Sequence, residues 1–128
     1  MKTFTSLLLE GKTLSTFLKK KYTDVIFQLV GPRPPEDGEN GFYTLQMIMV
    51  PYKLRQQGIA TKFMKDLVMI ASKEGNDIML SPTVEYMENE MNLKQLTDWY
   101  KKFGFVKKRR DDFRSMNTYV LYQNKTRK

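Results

Sequence analysis

Phe42-Tyr-Thr-Leu-Gln-Met-Ile-Met-Val50, Ala60-Thr-Lys-Phe-Met-Lys-Asp-Leu-Val-Met-Ile-Ala-Ser-Lys-Glu74 and Asp77-Ile-Met-Leu-Ser81 are three successive blocks with different hydrophobic periods. In the first, side chains alternate, with Tyr43, Leu45, Met47 and Met49 on one face and Thr44 and Gln46 on the other. Pro51 cannot donate to a ladder and ends this strand. In the second, Ala60, Phe63, Met64, Leu67, Val68 and Ala71 form one apolar helical stripe, and Gly75 offers a left-handed stop. The third block is short and apolar and closes at Pro82, as a buried strand would. Strand, helix and strand in this order make a βαβ unit, so the two strands are expected to be parallel.

Outward from this unit the pattern stays mixed. Asp24–Val30 is rich in β-formers and reads as a strand, followed by a loop over Gly31–Gly41 dense in Pro and Gly. Upstream, Leu14, Phe17 and Leu18 sit at helical spacing with Thr13 or Ser15 as cap, and Phe4–Leu9 reads as a short strand. Downstream, an acidic connection (82–92) precedes Asn92, which stands three residues before Gln95 as in a capping box. Leu93, Leu96, Trp99, Tyr100 and Phe103 give the next helix its buried side, and Gly104 ends it. Phe105-Val106 starts a strand, Lys107–Arg114 is a charged turn, and Met116–Gln123 is a last strand. The expected class is α/β of the α+β type: one domain (1–128) with a mixed, mostly antiparallel sheet, a parallel strand pair and flanking helices.

Composition narrows the chemistry. A chain of 128 residues, 41% hydrophobic and 28% charged, is expected to fold as a single soluble domain. No apolar run approaches the ~18–20 residues of a membrane span, and Met1-Lys2-Thr3 leads into no signal-peptide pattern. The expected setting is therefore cytoplasmic, with no membrane partner. The absence of Cys and His excludes thiolate and imidazole catalysis, disulfides, and zinc sites built on nitrogen or sulfur; no metal is expected. The net charge of +8 is lopsided. Residues 1–100 carry 12 Lys/Arg against 12 Asp/Glu, whereas residues 101–128 carry 10 against Asp111 and Asp112 alone. This end could solubilise the chain or meet nucleic acid, an anionic ligand or an acidic partner.

Between strand end and helix start lies Arg55-Gln-Gln-Gly-Ile-Ala60. The amides of Gln57, Gly58, Ile59 and Ala60 are the expected unpaired first-turn donors, and the positive end of the helix dipole favours a phosphate there. Gly58 lacks a Cβ that would obstruct a ligand, and Arg55 and Lys62 add positive charge. Neither of the commoner phosphate-loop patterns is present.

Two motifs together resemble the GNAT superfamily of acyl-CoA-dependent N-acetyltransferases. Pro51-Tyr-Lys-Leu-Arg-Gln-Gln-Gly-Ile-Ala60 after a strand is similar to the family's pyrophosphate loop, with Arg55, Gly58 and Ala60 at matching places. Leu96-Thr-Asp-Trp-Tyr-Lys-Lys-Phe-Gly-Phe105 is similar to its later motif, a Tyr-bearing helix that ends in Gly-Phe. The resemblance covers residues 42–106. It implies a splayed parallel pair, here 42–50 and 77–81, with acetyl-CoA entering the gap. Backbone groups of Ile48, Met49 and Val50 would pair with pantetheine as a further strand would. The loop from Gln56 through Gln57, Gly58, Ile59 and Ala60 to Thr61, beside Arg55, would hold the pyrophosphate. Tyr100 would protonate the departing sulfur, since a phenol of pKa ~10 keeps its proton at pH 7.

The implied activity is transfer of acetyl to a primary amine, of a protein or a small molecule, by direct attack in a ternary complex. The amide of Val50 would steady the oxyanion. Strand 42–50 has no carboxylate where many family members carry one, so Glu85, Glu88 and Glu90 are the candidates for the base, with Ser81 as a water-orienting alternative. Only about 40 residues precede the core strand, fewer than is usual in the family, so the acceptor site cannot be carried over. Two other readings stay open. One is a nucleic-acid-binding module using 101–128, with Phe113, Tyr119 and Tyr122 stacking on bases. The other is a CoA-binding interaction protein without turnover.

Overall fold

A computed structural model describes residues 14–36, 38–49, 57–83 and 92–123. The order along the chain is α1 (Leu14–Lys21), β1 (Ile26–Arg33), β2 (Phe42–Met49), α2 (Ile59–Glu74), β3 (Asp77–Leu80), α3 (Leu93–Lys101), β4 (Val106–Lys107) and β5 (Tyr119–Leu121). The strands form one mixed sheet in the order β1-β2-β3-β5-β4. β2 and β3 are parallel, as the βαβ reading requires, and the other three pairings are antiparallel. The fold is therefore α+β, with three helices among the described residues.

Of the helical stripe read on α2, Phe63, Met64, Leu67 and Ala71 are buried and Ala60 and Val68 are half-buried at its margin, while Ile70, outside that stripe, is buried as well. They share one core with Leu14 and Leu18 of α1, Leu96 and Tyr100 of α3, and Tyr43, Leu45, Ile78, Leu80 and Leu121 of the sheet. Gly75 takes φ 76, and the cap N–H groups reach Ala71 O and Ser72 O, so the left-handed stop is in place. The capping box on α3 also forms: Gln95 N donates to Asn92 Oδ1 at 2.8 Å and Asn92 N donates to Gln95 Oε1 at 3.0 Å.

Several sequence expectations change. β1 runs on to Arg33, three residues into the expected loop, with a cis Gly31-Pro32 bond. In β2, Gln46 is skipped between the pairs Gln28↔Met47 and Leu29↔Leu45, a bulge that shifts the alternation by one. Ile48 thus packs on the core with Tyr43 and Leu45, whereas Met47 and Met49, expected on that face, do not. Leu93, expected on the buried side of α3, is exposed. The last two strands are short, and Met116, read as the start of β5, is 95% exposed. The expected strand at Phe4–Leu9 lies outside the described residues.

The opposite sheet face is smaller and differently covered. Phe42, Met79 and Val120 are buried there with Tyr122 against them. The segment between β4 and β5 drapes over them. Ser115 Oγ donates to Met79 Sδ at 2.9 Å, and the Arg114 guanidinium lies 5.5 Å from the Phe42 ring centre. Gln28 and Gln46, by contrast, remain exposed, as do the apolar Ile26 and Val30.

Candidate functional site

The parallel ladder between β2 and β3 covers only Phe42↔Asp77, Tyr43↔Ile78 and Thr44↔Met79. β2 then continues through Leu45–Met49 with β1 on one side and, among the described residues, no strand on the other. In an antiparallel ladder alternate residues turn their N–H and C=O away from the partner. Of the neighbours Ile48 and Met49, paired opposite Phe27 and Ile26, one therefore presents its backbone groups on the β3 side. Val50 lies outside the described residues.

The helix that follows starts openly. Gly58 is its N-cap at φ 72, ψ 21, with no side-chain hydrogen bond to the first turn. A left-handed N-cap suits glycine, and a Cβ added here would meet no atom of the described residues within 4 Å. The first intrahelical bond is Lys62 N to Gly58 O, so the free donors are the amides of Gly58, Ile59, Ala60 and Thr61. That is one residue later than the sequence reading, which began the set at Gln57; Gln57 is an exposed turn residue. The first turn carries no acidic side chain to compete for these amides. Arg55 and Gln56 lie outside the described residues.

Tyr100 occupies the inner side of α3, 6% exposed. Its ring meets Trp99 edge-on at 5.1 Å and Phe105 at 5.8 Å, and it shares one buried cluster with Leu45 and Leu80, next to where the ladder stops. Burial alone pushes its hydroxyl up to about 12, so it is protonated at neutral pH with a wide margin. Its hydroxyl has no hydrogen-bond partner among the described residues, whereas the buried Tyr22 and Tyr43 donate to Asp66 and Glu74.

The candidate bases Glu85, Glu88 and Glu90 lie outside the described residues. Ser81 is exposed at the end of β3, and its hydroxyl is engaged: it donates to Asn117 Oδ1 at 3.2 Å and accepts from Thr118 N at 3.1 Å. Among the described residues there is no group of three or more His, Cys, Asp or Glu placed to hold a metal, and no helix long and apolar enough to cross a membrane.

The basic end is not a uniformly free patch. Arg114 is 6% exposed and forks onto the fully buried Asp112, with Nε to Oδ1 at 2.9 Å and Nη2 to Oδ2 at 2.8 Å. Its Nη1 meets Asp77 Oδ2 at 2.9 Å and Asn40 O at 2.8 Å. Asp77 also accepts from Asn40 Nδ2 and Gln123 N. The Arg114 hydrogen bonds hold the Asp112 carboxyl well below the usual range, and the Tyr122 hydroxyl adds another donor at 2.9 Å. Arg109 pairs with Glu39 at 2.7 Å and stacks on Tyr122, and Lys108 donates to Ser115 O. Of the three rings read as a stacking platform, Tyr122 is tied into this cluster and Tyr119 packs on the core, while Phe113 stays 88% exposed. The cluster was missed in the sequence. The available signal was Asp77, a carboxylate opening a strand whose other residues are all apolar, which must find a cation if buried.

No protein family, curated protein or solved structure matches this chain.

Proposed function

We propose that the chain is an acyl-CoA-dependent N-acetyltransferase of the GNAT type, moving the acetyl group of acetyl-CoA to a primary amine by direct attack. The observation that carries this reading is the early end of the β2–β3 ladder in a βαβ unit whose helix starts without a side-chain cap. A cleft between parallel strands with free helix-start amides suits an extended ligand that carries a pyrophosphate.

In this reading Gly58, Ile59, Ala60 and Thr61 donate to the pyrophosphate, and the free edge at Ile48 and Met49 pairs with the pantetheine amides. The amine nitrogen attacks the thioester carbonyl, the C–S bond breaks, and the amine proton leaves through a carboxylate or water. Tyr100 serves the sulfur. With its pKa near 12, against ~8.5 for a thiol, full transfer to a thiolate is uphill by ~5 kcal/mol. Its role is thus to hold a hydrogen bond on the developing negative charge, and the sulfur takes its final proton from solvent.

Calorimetric titration with acetyl-CoA tests the reading through Gly58→Asn and Gly58→Asp. Both residues tolerate the left-handed region comparatively well and they differ in charge. Wild type should bind, and the Asp variant should bind at least tenfold more weakly than the Asn variant. Absence of wild-type binding, or equal affinity in the two folded variants, overturns the assignment.

A further inference from the structure

The outward side of α2 carries a pattern that the core does not explain. At about 100° per residue, Lys62, Lys65 and Lys73 all fall within about 40° of Met69, across the helix from the buried Met64, Leu67 and Ala71. All four are exposed, Met69 at 48%. They make a row with one side chain per turn, about 16 Å long from Lys62 to Lys73. Both carboxylates of the helix are engaged elsewhere. Asp66 Oδ2 accepts from the Tyr22 hydroxyl at 2.6 Å and from Lys21 Nζ at 2.7 Å, both at the end of α1. Glu74 accepts from the Tyr43 hydroxyl and from Asn76 Nδ2. Among the described residues Lys62, Lys65 and Lys73 therefore have no carboxylate partner. Like charges one turn apart, as at Lys62 and Lys65, slightly destabilise a helix. An apolar centre inside a polar rim is the anatomy of a protein contact, and Met is enriched in such contacts.

We propose that this face of α2 docks an acidic amphipathic helix of a partner protein, with carboxylates set against Lys62, Lys65 and Lys73 and an apolar side chain resting on Met69. Carboxylates three and four residues apart share one face of a helix, which matches the once-per-turn spacing of the lysines. A second copy of this chain fits less well, since its described helices carry only Asp66, Glu74 and Asp98. Nucleic acid fits less well because Met69 gives a base no ring to stack on. One half-exposed Met is also a small apolar area for binding at a lipid interface. The docking reading does not rest on acetyl transfer.

The probe is a fluorescein-labelled, alanine-based helical peptide with Leu at its centre and Glu three and four residues to either side. Its binding is read by anisotropy with the full chain. It should bind saturably, at least about tenfold more tightly than the same peptide with Gln for Glu. The double variant Lys65→Glu with Lys73→Glu should lose that preference and favour the peptide with Lys for Glu. Lys65→Gln with Lys73→Gln should lose the preference without reversing it. All these changes are at exposed positions, so the melting curves should match wild type. Met69→Ser should weaken the Glu peptide by at least about threefold and leave its salt dependence unchanged. The proposal is overturned if the Glu peptide does not bind below about 1 mM, or if the Gln peptide binds equally well. It is also overturned if either double variant keeps the wild-type preference, or if Met69→Ser binds like wild type. Tighter binding of oligothymidylate or of phosphatidylserine vesicles, indifferent to Met69→Ser, would overturn it in favour of nucleic acid or of a lipid surface.

Discussion

Replacing Arg114 by Met should remove the centre of the buried cluster while nearly preserving side-chain length. Four polar contacts of 2.9 Å or less go, two to Asp112, one to Asp77 and one to Asn40 O, together with longer approaches to Glu39 and the Phe42 ring. Summing these as charge-assisted hydrogen bonds at ~1.5–3 kcal/mol each overstates the loss, since burying the guanidinium was itself costly. The larger consequence is what remains. Asp112 keeps Tyr122 and the Arg114 amide, and Asp77 keeps Asn40 and Gln123, all neutral donors, so two carboxylates stay buried without a cation. Breaking such a pair from one side costs ~3–5 kcal/mol. At about 4 °C per kcal/mol for a chain of this size, the melting temperature should fall by about 12–20 °C. Urea denaturation gives the free energy, and scanning calorimetry gives the melting temperature. Adding Asp77→Asn and Asp112→Asn to Arg114→Met should recover more than half of the loss, because neutral amides no longer need the charge. A single variant within about 1 kcal/mol of wild type would refute the argument, placing the cluster among weak, solvated ion pairs.

Asp112 also sets an acid limit. Its folded pKa lies below the ordinary 3.8, so its contribution to stability is complete above that value and is lost as pH falls beneath it. The melting temperature should hold from pH 7 to about 5 and drop below about 4, more gently in Asp112→Asn; identical acid slopes would contradict this. Tyr100→Phe should keep acetyl-CoA affinity and fold while turnover falls by about 10²- to 10³-fold, the worth of one donor to a developing negative charge. With the phenol near 12, no basic limb below about pH 10 should belong to Tyr100, so a limb near pH 9 that vanishes in the Phe variant would overturn the assigned role. Changing Lys101, Lys102, Lys107 and Arg110 to Gln removes four cations, of which Lys101 and Lys102 act on the exposed Asp98. Acetyl-CoA affinity should stay within about twofold while any polyanion binding becomes less salt-dependent; lost affinity in a folded variant would place these residues on the cofactor.

Local signals carried much of this protein. The period of α2, its glycine stop, the Asn92–Gln95 capping box and the βαβ order are properties of neighbouring residues, and each appears in the fold as read. The start of α2 was legible to within one residue because helix entry depends on a single turn of chain. What required the tertiary structure was register and long-range charge. The bulge at Gln46 arises only when β2 is laid against β1, and it alone decides that Ile48, not Met47 or Met49, enters the core. Arg114 reads as one more cation in a basic tail. It becomes the buried hub of the opposite face because Asp77 and Asn40 converge on it from two segments distant in sequence and join Asp112, two residues away. A guanidinium loses its water only when several acceptors surround it at once, and that convergence is a property of the folded chain, not of any stretch of sequence.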